Sequence, residues 1–89
     1  MLTSAIKKEL KARAHALKPV VLLGKSGLTT AVLTSIDEAL TAHELIKVRL
    51  PAVERAERVL QTGQIAASLG ADIVGSIGRV LILYRPRPA

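Results

Sequence analysis

The chain has 89 residues, enough for one core and one domain but not for two. It contains no cysteine, which excludes a disulfide framework, a zinc knuckle and thiol chemistry, and no apolar run nears the roughly 20 residues needed to span a bilayer. Thirteen Lys and Arg against seven Asp and Glu leave a net charge of +6 and a pI of about 10.4, the balance expected of a protein that meets a polyanion. A soluble, unprocessed, cytoplasmic chain is expected.

The first helix is predicted from Ser4 to Leu17, with Thr3 or Ser4 as N-cap and Pro19 disfavouring helix at Lys18. Ile6, Leu10, Ala14 and Leu17 repeat at helical spacing and should face the core. Lys7, Lys8, Lys11, His15 and Lys18 fall on the opposite side, and Arg13 sits at the edge of the apolar arc, where it must snorkel. Residues 1 to 27 hold six cations against Glu9 alone, while residues 28 to 45 carry Asp37, Glu38 and Glu44 and no cation. The positive charge is therefore gathered beside the next element rather than spread for solubility.

Val20 to Leu23 is a short, wholly apolar run that suits a strand covered on both faces. It leads into Gly24-Lys25-Ser26-Gly27. Two glycines three apart permit positive φ and close approach of another backbone, and the helix that follows points unpaired amides and a partial positive charge at the loop. Lys25 adds a full charge. The alternative is that the glycines only turn the chain from strand to helix.

The second helix is predicted over about 30–42, with Thr29 or Thr30 as cap and Val32, Leu33, Ile36 and Leu40 buried. In the strand Leu45 to Leu50, Ile46, Val48 and Leu50 alternate with Lys47 and Arg49, one face apolar and one cationic. A third helix over about 54–69 repeats Val59, Thr62, Ala66 and Leu69 with Ile65 beside them, and Gly70 stops it. Ile73 to Ile77 and Val80 to Tyr84 form a hairpin on a Gly78-Arg79 turn of type II′. Residues 1–85 make the domain, and 86–89 form a proline-broken, loose tail. The order α-β-α-β-α-β-β predicts an α/β fold, a four-stranded mixed sheet packed with three helices.

A nucleotide-hydrolysing loop of the pattern GxxxxGK[ST] is excluded, because its first glycine would fall at Pro19. His15 and His43 do not cluster with acids at ligand spacing, Ser26 has no evident base, and Asp37 and Glu38 point about 100° apart on a helix. No catalytic residue, metal site or cofactor is expected. Tyr84 is the sole aromatic residue, so base stacking on aromatic rings is excluded as the main binding mode. Phosphate and ribose contacts must dominate.

Leu10, Ala14-His15, Leu17 to Val21, Gly24 to Thr29, His43 to Val48, Ile77-Gly78-Arg79 and Leu83 to Pro86 resemble the CRM domain, named for chloroplast RNA splicing and ribosome maturation, and within it the stand-alone bacterial YhbY-like proteins. The combination of LKP, GxxGLT, HELIKV and LYRP is far more specific than GxxG alone. The resemblance implies a fold similar to the C-terminal domain of translation initiation factor 3 and an RNA-binding GxxG loop analogous to that of KH domains. It also implies association with precursors of the large ribosomal subunit. Carried over by position, the RNA-binding residues would be Gly24, Lys25, Ser26 and Gly27, supported by Lys18, Lys47 and Arg79, with Lys7, Lys8 and Lys11 extending the basic track along the first helix. Arg13 and Gly75-Ser76 depart from the family pattern.

The expectation is therefore a monomeric, non-enzymatic protein that binds ribosomal RNA, with no membrane or small-molecule partner. The rival is a protein-interaction module that docks on ribosomal or translation-factor proteins through the same basic surface, and a small nucleotide-dependent enzyme stands third.

Overall fold

The computed structural model describes residues 2–24 and 27–87. Its elements are α1 (Ser4–Ala14), β1 (Val21–Leu22), α2 (Thr30–His43), β2 (Leu45–Arg49), α3 (Arg55–Leu69), β3 (Asp72–Ile77) and β4 (Val80–Tyr84). The strands form one sheet in the order β1-β2-β4-β3, parallel between β1 and β2 and antiparallel elsewhere. This is the α/β arrangement of three helices and a four-stranded mixed sheet that the element order predicts.

Local chemistry accounts for the element ends. Thr3 caps α1 by accepting the Ile6 amide at 3.2 Å, and Thr29 caps α2 by accepting the Val32 amide at 3.1 Å. Gly70 closes α3 in the left-handed region at φ +61°, its amide bonded to the Ala66 carbonyl. Gly78 has φ +58° and Arg79 does not share that sign, as a type II′ turn requires.

The sheet is buried on two faces to unequal extents. On one, α2 and α3 enclose Val21, Leu23, Ile36, Leu40, Ile46, Val48, Leu50, Ile65, Leu81 and Leu83. On the other, α1 alone packs Leu10 and Ala14 against Leu45, Val74 and Ile82. The expected core stripe of the first helix thus shortens: the helix ends at Ala14, and Ile6 and Leu17 are exposed because α1 reaches only part of the sheet. For the same reason β1 is not covered on both faces. It lies at the sheet edge beyond α1, and Val20 and Leu22 face outward.

α3 is rotated from its expected face. Gln61 and Ile65 are its buried residues, while Val59 is exposed. Gln61 is only 7% exposed, and its Oε1 has no hydrogen-bond partner among the described residues.

The chain also does not come loose after Arg85. The Arg85 guanidinium bonds Asp37 Oδ1 at 2.7 Å, the Asp37 and Leu69 carbonyls, and Thr41 Oγ1. The Arg87 amide donates to Glu44 Oε2 at 2.6 Å, and its guanidinium to the carbonyls of Thr41 and Ala42. Two arginines thereby satisfy carbonyls at the negative end of α2. Residues 88 and 89 lie outside the described residues.

Ile65 is fully buried between α3 and the sheet. Ile65→Ala is expected to cost about 2–5 kcal/mol, read as a lower urea midpoint at unchanged m-value.

Candidate nucleic-acid interface

β1 delivers the chain to the glycine loop at a defined place. The Leu23 amide donates to the Arg49 carbonyl at 2.9 Å, so the strand pairing continues up to Gly24. The Gly27 amide then donates to the Gly24 carbonyl at 3.0 Å, and the two glycines close the loop on itself. Gly27 has φ +70°, whereas Gly24 is not in the left-handed region. The freedom of positive φ expected of both is used by one. Gly27 also packs over α3: a Cβ there would lie 3.5 Å from the Gln61 amide nitrogen. Lys25 and Ser26, named from the sequence as the tip of the loop, lie outside the described residues.

The start of α2 stands beside this loop. Thr29 takes the Val32 amide with its side chain and the Leu33 amide with its carbonyl, at 3.1 and 3.0 Å. The Thr30 and Ala31 amides, ahead of the first internal helical bonds, form the positive end of the helix.

Sheet register decides which cations reach the loop. Leu22 lies beside Arg49, and Arg49 lies opposite Val80. The Leu50 amide donates to the Arg79 carbonyl at 2.7 Å, which holds the β3–β4 turn against the end of β2. Gly24, Gly27, Arg49 and Arg79 are therefore gathered at one end of the sheet. Lys47 is two residues back along β2 and half-buried, its Nζ bonded to the Leu17 carbonyl at 3.0 Å, so part of its work is to tie down the connection after α1. Lys7, Lys8 and Lys11 are exposed on α1. Lys11 leans across the sheet onto Gly75, where a Cβ would stand 2.5 Å from the Lys11 Cε; glycine leaves the groove in which the lysine stem lies.

Lys18 is not brought to the loop. It precedes β1 and sits at the other end of that strand, where Lys18, Arg13 and His43 rim a hollow floored by Leu17, Val20, Leu45 and Ile46. The residues named from the sequence thus divide between a loop end and a second basic hollow, with Lys11 and Lys47 between. Sequence reasoning did not enter Arg49 among the site residues, although the alternation of β2 marks it as an outward cation next to the strand that carries the loop. Nor did it join Arg13 and His43 to Lys18, because their proximity depends on how α1 and α2 end against β2. Gln61 has no signal in the sequence, since a glutamine in a helix reads as solvated.

Such a fold, with a glycine loop at a helix start and basic groups on a surface nearly free of aromatic rings, defines a small α/β binding domain for an extended anion. The sequence profile of the CRS1 / YhbY (CRM) domain matches residues 2–85, and the chain belongs to that family. It is 41% identical over 87 residues to a Pseudomonas aeruginosa protein named a probable RNA-binding protein, covering 98% of this chain and 84% of that one. It is 45% identical over 85 residues to an RNA-binding protein of Haemophilus influenzae, covering 96% and 86%. A solution structure of a Staphylococcus aureus protein, there a candidate RNA-binding protein, superposes with a TM-score of 0.87 at 27% identity, covering 100% of this chain and 93% of that one.

The two glycines should respond differently to a methyl group. Gly27→Ala is expected to cost about 1 kcal/mol through its positive φ, and Gly24→Ala less than about 0.5 kcal/mol, because among the described residues nothing lies within 4 Å of a Cβ there. Urea denaturation of the two variants compares them directly.

Proposed function

We propose that this protein is a non-enzymatic RNA-binding protein that holds the backbone of ribosomal RNA in precursors of the large subunit. The observation that carries this reading is the meeting of the glycine loop, the positive end of α2, Arg49 and Arg79 at one end of the sheet. Backbone amides and arginines there suit phosphate oxygens, which lie at regular intervals along a strand and carry no base identity. By sequence, Lys25 and Ser26 give the loop a charge and a hydroxyl. Lys7, Lys8 and Lys11 lengthen the positive track, and Lys18 contributes from the second hollow. The relatives named as RNA-binding support the class of ligand. The family resemblance supports the ribosomal setting; the lack of cysteine fits a reducing, cytoplasmic location, and action as a monomer completes the reading.

The double variant Lys25→Glu/Ser26→Glu is expected to weaken RNA binding more than about tenfold at fixed salt and to flatten the slope of log affinity against log salt by about one, with the urea midpoint unchanged. Unchanged affinity would remove the loop from the interface. Co-sedimentation with large-subunit particles that disappears on ribonuclease treatment distinguishes direct RNA contact from docking on a ribosomal protein.

A further inference from the structure

The sheet face that α1 shares is open at the end nearest the loop. There the register aligns one residue from each strand: Leu22, Arg49, Val80 and Ile77, in that order across the sheet. Leu22 is 65% exposed and Ile77 67%, with half-buried Val80 between Ile77 and Arg49. The next row holds Lys47, Ile82 and Gly75, with the Lys11 stem lying over the glycine. Neither row contains a carboxylate. Neighbouring strands are about 4.8 Å apart, so Leu22 and Ile77 stand about 14 Å from each other.

We infer that this row is a platform for the unpaired bases of a single-stranded RNA whose backbone the loop holds, an inference that rests on the RNA-binding reading above. Aromatic stacking is not required for it. The flat face of a base removes apolar surface from water when it lies on a leucine or isoleucine side chain, as it would on a ring. Arg49, between Leu22 and Val80, can pair with the phosphate between two such bases or lie flat on one of them. Charge complementarity favours this occupant: Arg49 stands in the row itself, Lys47 and the Lys11 stem in the next, and neither row holds a carboxylate. A second copy of the chain fits poorly, since two separated aliphatic side chains and a half-buried valine fall far short of the roughly 800 Å² per partner that a stable interface buries. An RNA duplex keeps its base faces inside the stack, so the platform selects single strands while the loop alone does not.

The test compares Leu22→Ala and Ile77→Ala with the parent protein for binding to a short oligouridylate and to a blunt RNA duplex across a salt series. Each substitution is expected to weaken oligouridylate binding about three- to tenfold, to leave the salt slope unaltered, and to leave duplex affinity within about twofold. Leu22→Thr and Ile77→Thr, which favour the strand backbone, should lose single-strand affinity in the same way and guard against a loss of fold, checked by thermal melting. Val59→Ala, an equally exposed apolar residue on α3, is the control and should bind as the parent does.

Parent protein that binds while the Leu22 and Ile77 variants bind equally well overturns the platform and leaves the RNA-binding reading intact. Equal losses on single strand and duplex also overturn it, as does self-association of the parent that the variants abolish. A parent that binds neither RNA overturns both readings.

Discussion

Both cores of this domain hang on the pairing of β2 with β4. Along that ladder Ile46 lies opposite Leu83 and Val48 opposite Leu81 on the face closed by α2 and α3, while Leu45 and Ile82 turn to the face that receives α1. Successive residues of the same strands are therefore buried in opposite directions, and a slip of one residue would exchange the two cores and expel both. The two outer strands and all three helices are positioned from this pair. The parallel partner β1 takes its place beside β2, which fixes where the glycine loop emerges, and the β3–β4 turn is set against the end of the same strand.

The unequal helices then decide which surface is left over. α1 has 11 residues, a length of about 16 Å, and it lies over Leu45, Val74 and Ile82. Beyond it the sheet remains open, at the end where the loop and the two arginines converge. The second basic hollow, with Arg13, Lys18 and His43, is formed by the other side of the same helix and by the end of α2. One short helix thus serves two regions, with Arg13 at the rim of the hollow beside β1 and β2 and the Lys11 stem over Gly75 at the β3 edge.

Much of this was legible in the sequence, and the parts that were not share a cause. Element types and order followed from periodicity: the alternation of Ile46, Lys47, Val48 and Arg49 reads as a half-buried strand whatever surrounds it, and Thr29 and Gly70 mark helix ends by local hydrogen bonding and backbone freedom. Four apolar residues in a row, by contrast, carry no period, so Val20 to Leu23 could not reveal that it forms a sheet edge with two residues turned outward. Gln61 carries no signal because burial of an amide beside Gly27 is settled by the neighbour and not by the side chain's own polarity. Apart from the Leu69 carbonyl, Arg85 and Arg87 find their side-chain partners more than forty positions earlier in the chain, beyond the reach of any local pattern. In the site, residue types were legible but their grouping was not: Lys18 and Gly24 are six positions apart and stand at opposite ends of one strand.

The strand order β1-β2-β4-β3 has a consequence for how the molecule is made. Of the four strands, the one synthesised last is an interior one, and it supplies Leu81, Ile82 and Leu83 to the middle of both cores. A nascent chain that has emerged only as far as β3 carries β2 with one flank bare and neither core closed, so it can hold fluctuating helices but no cooperative unit. Both cores close only when β4 takes its place between β2 and β3. The domain is in this sense committed to folding only after β4 has been synthesised, its short helices fluctuating until then.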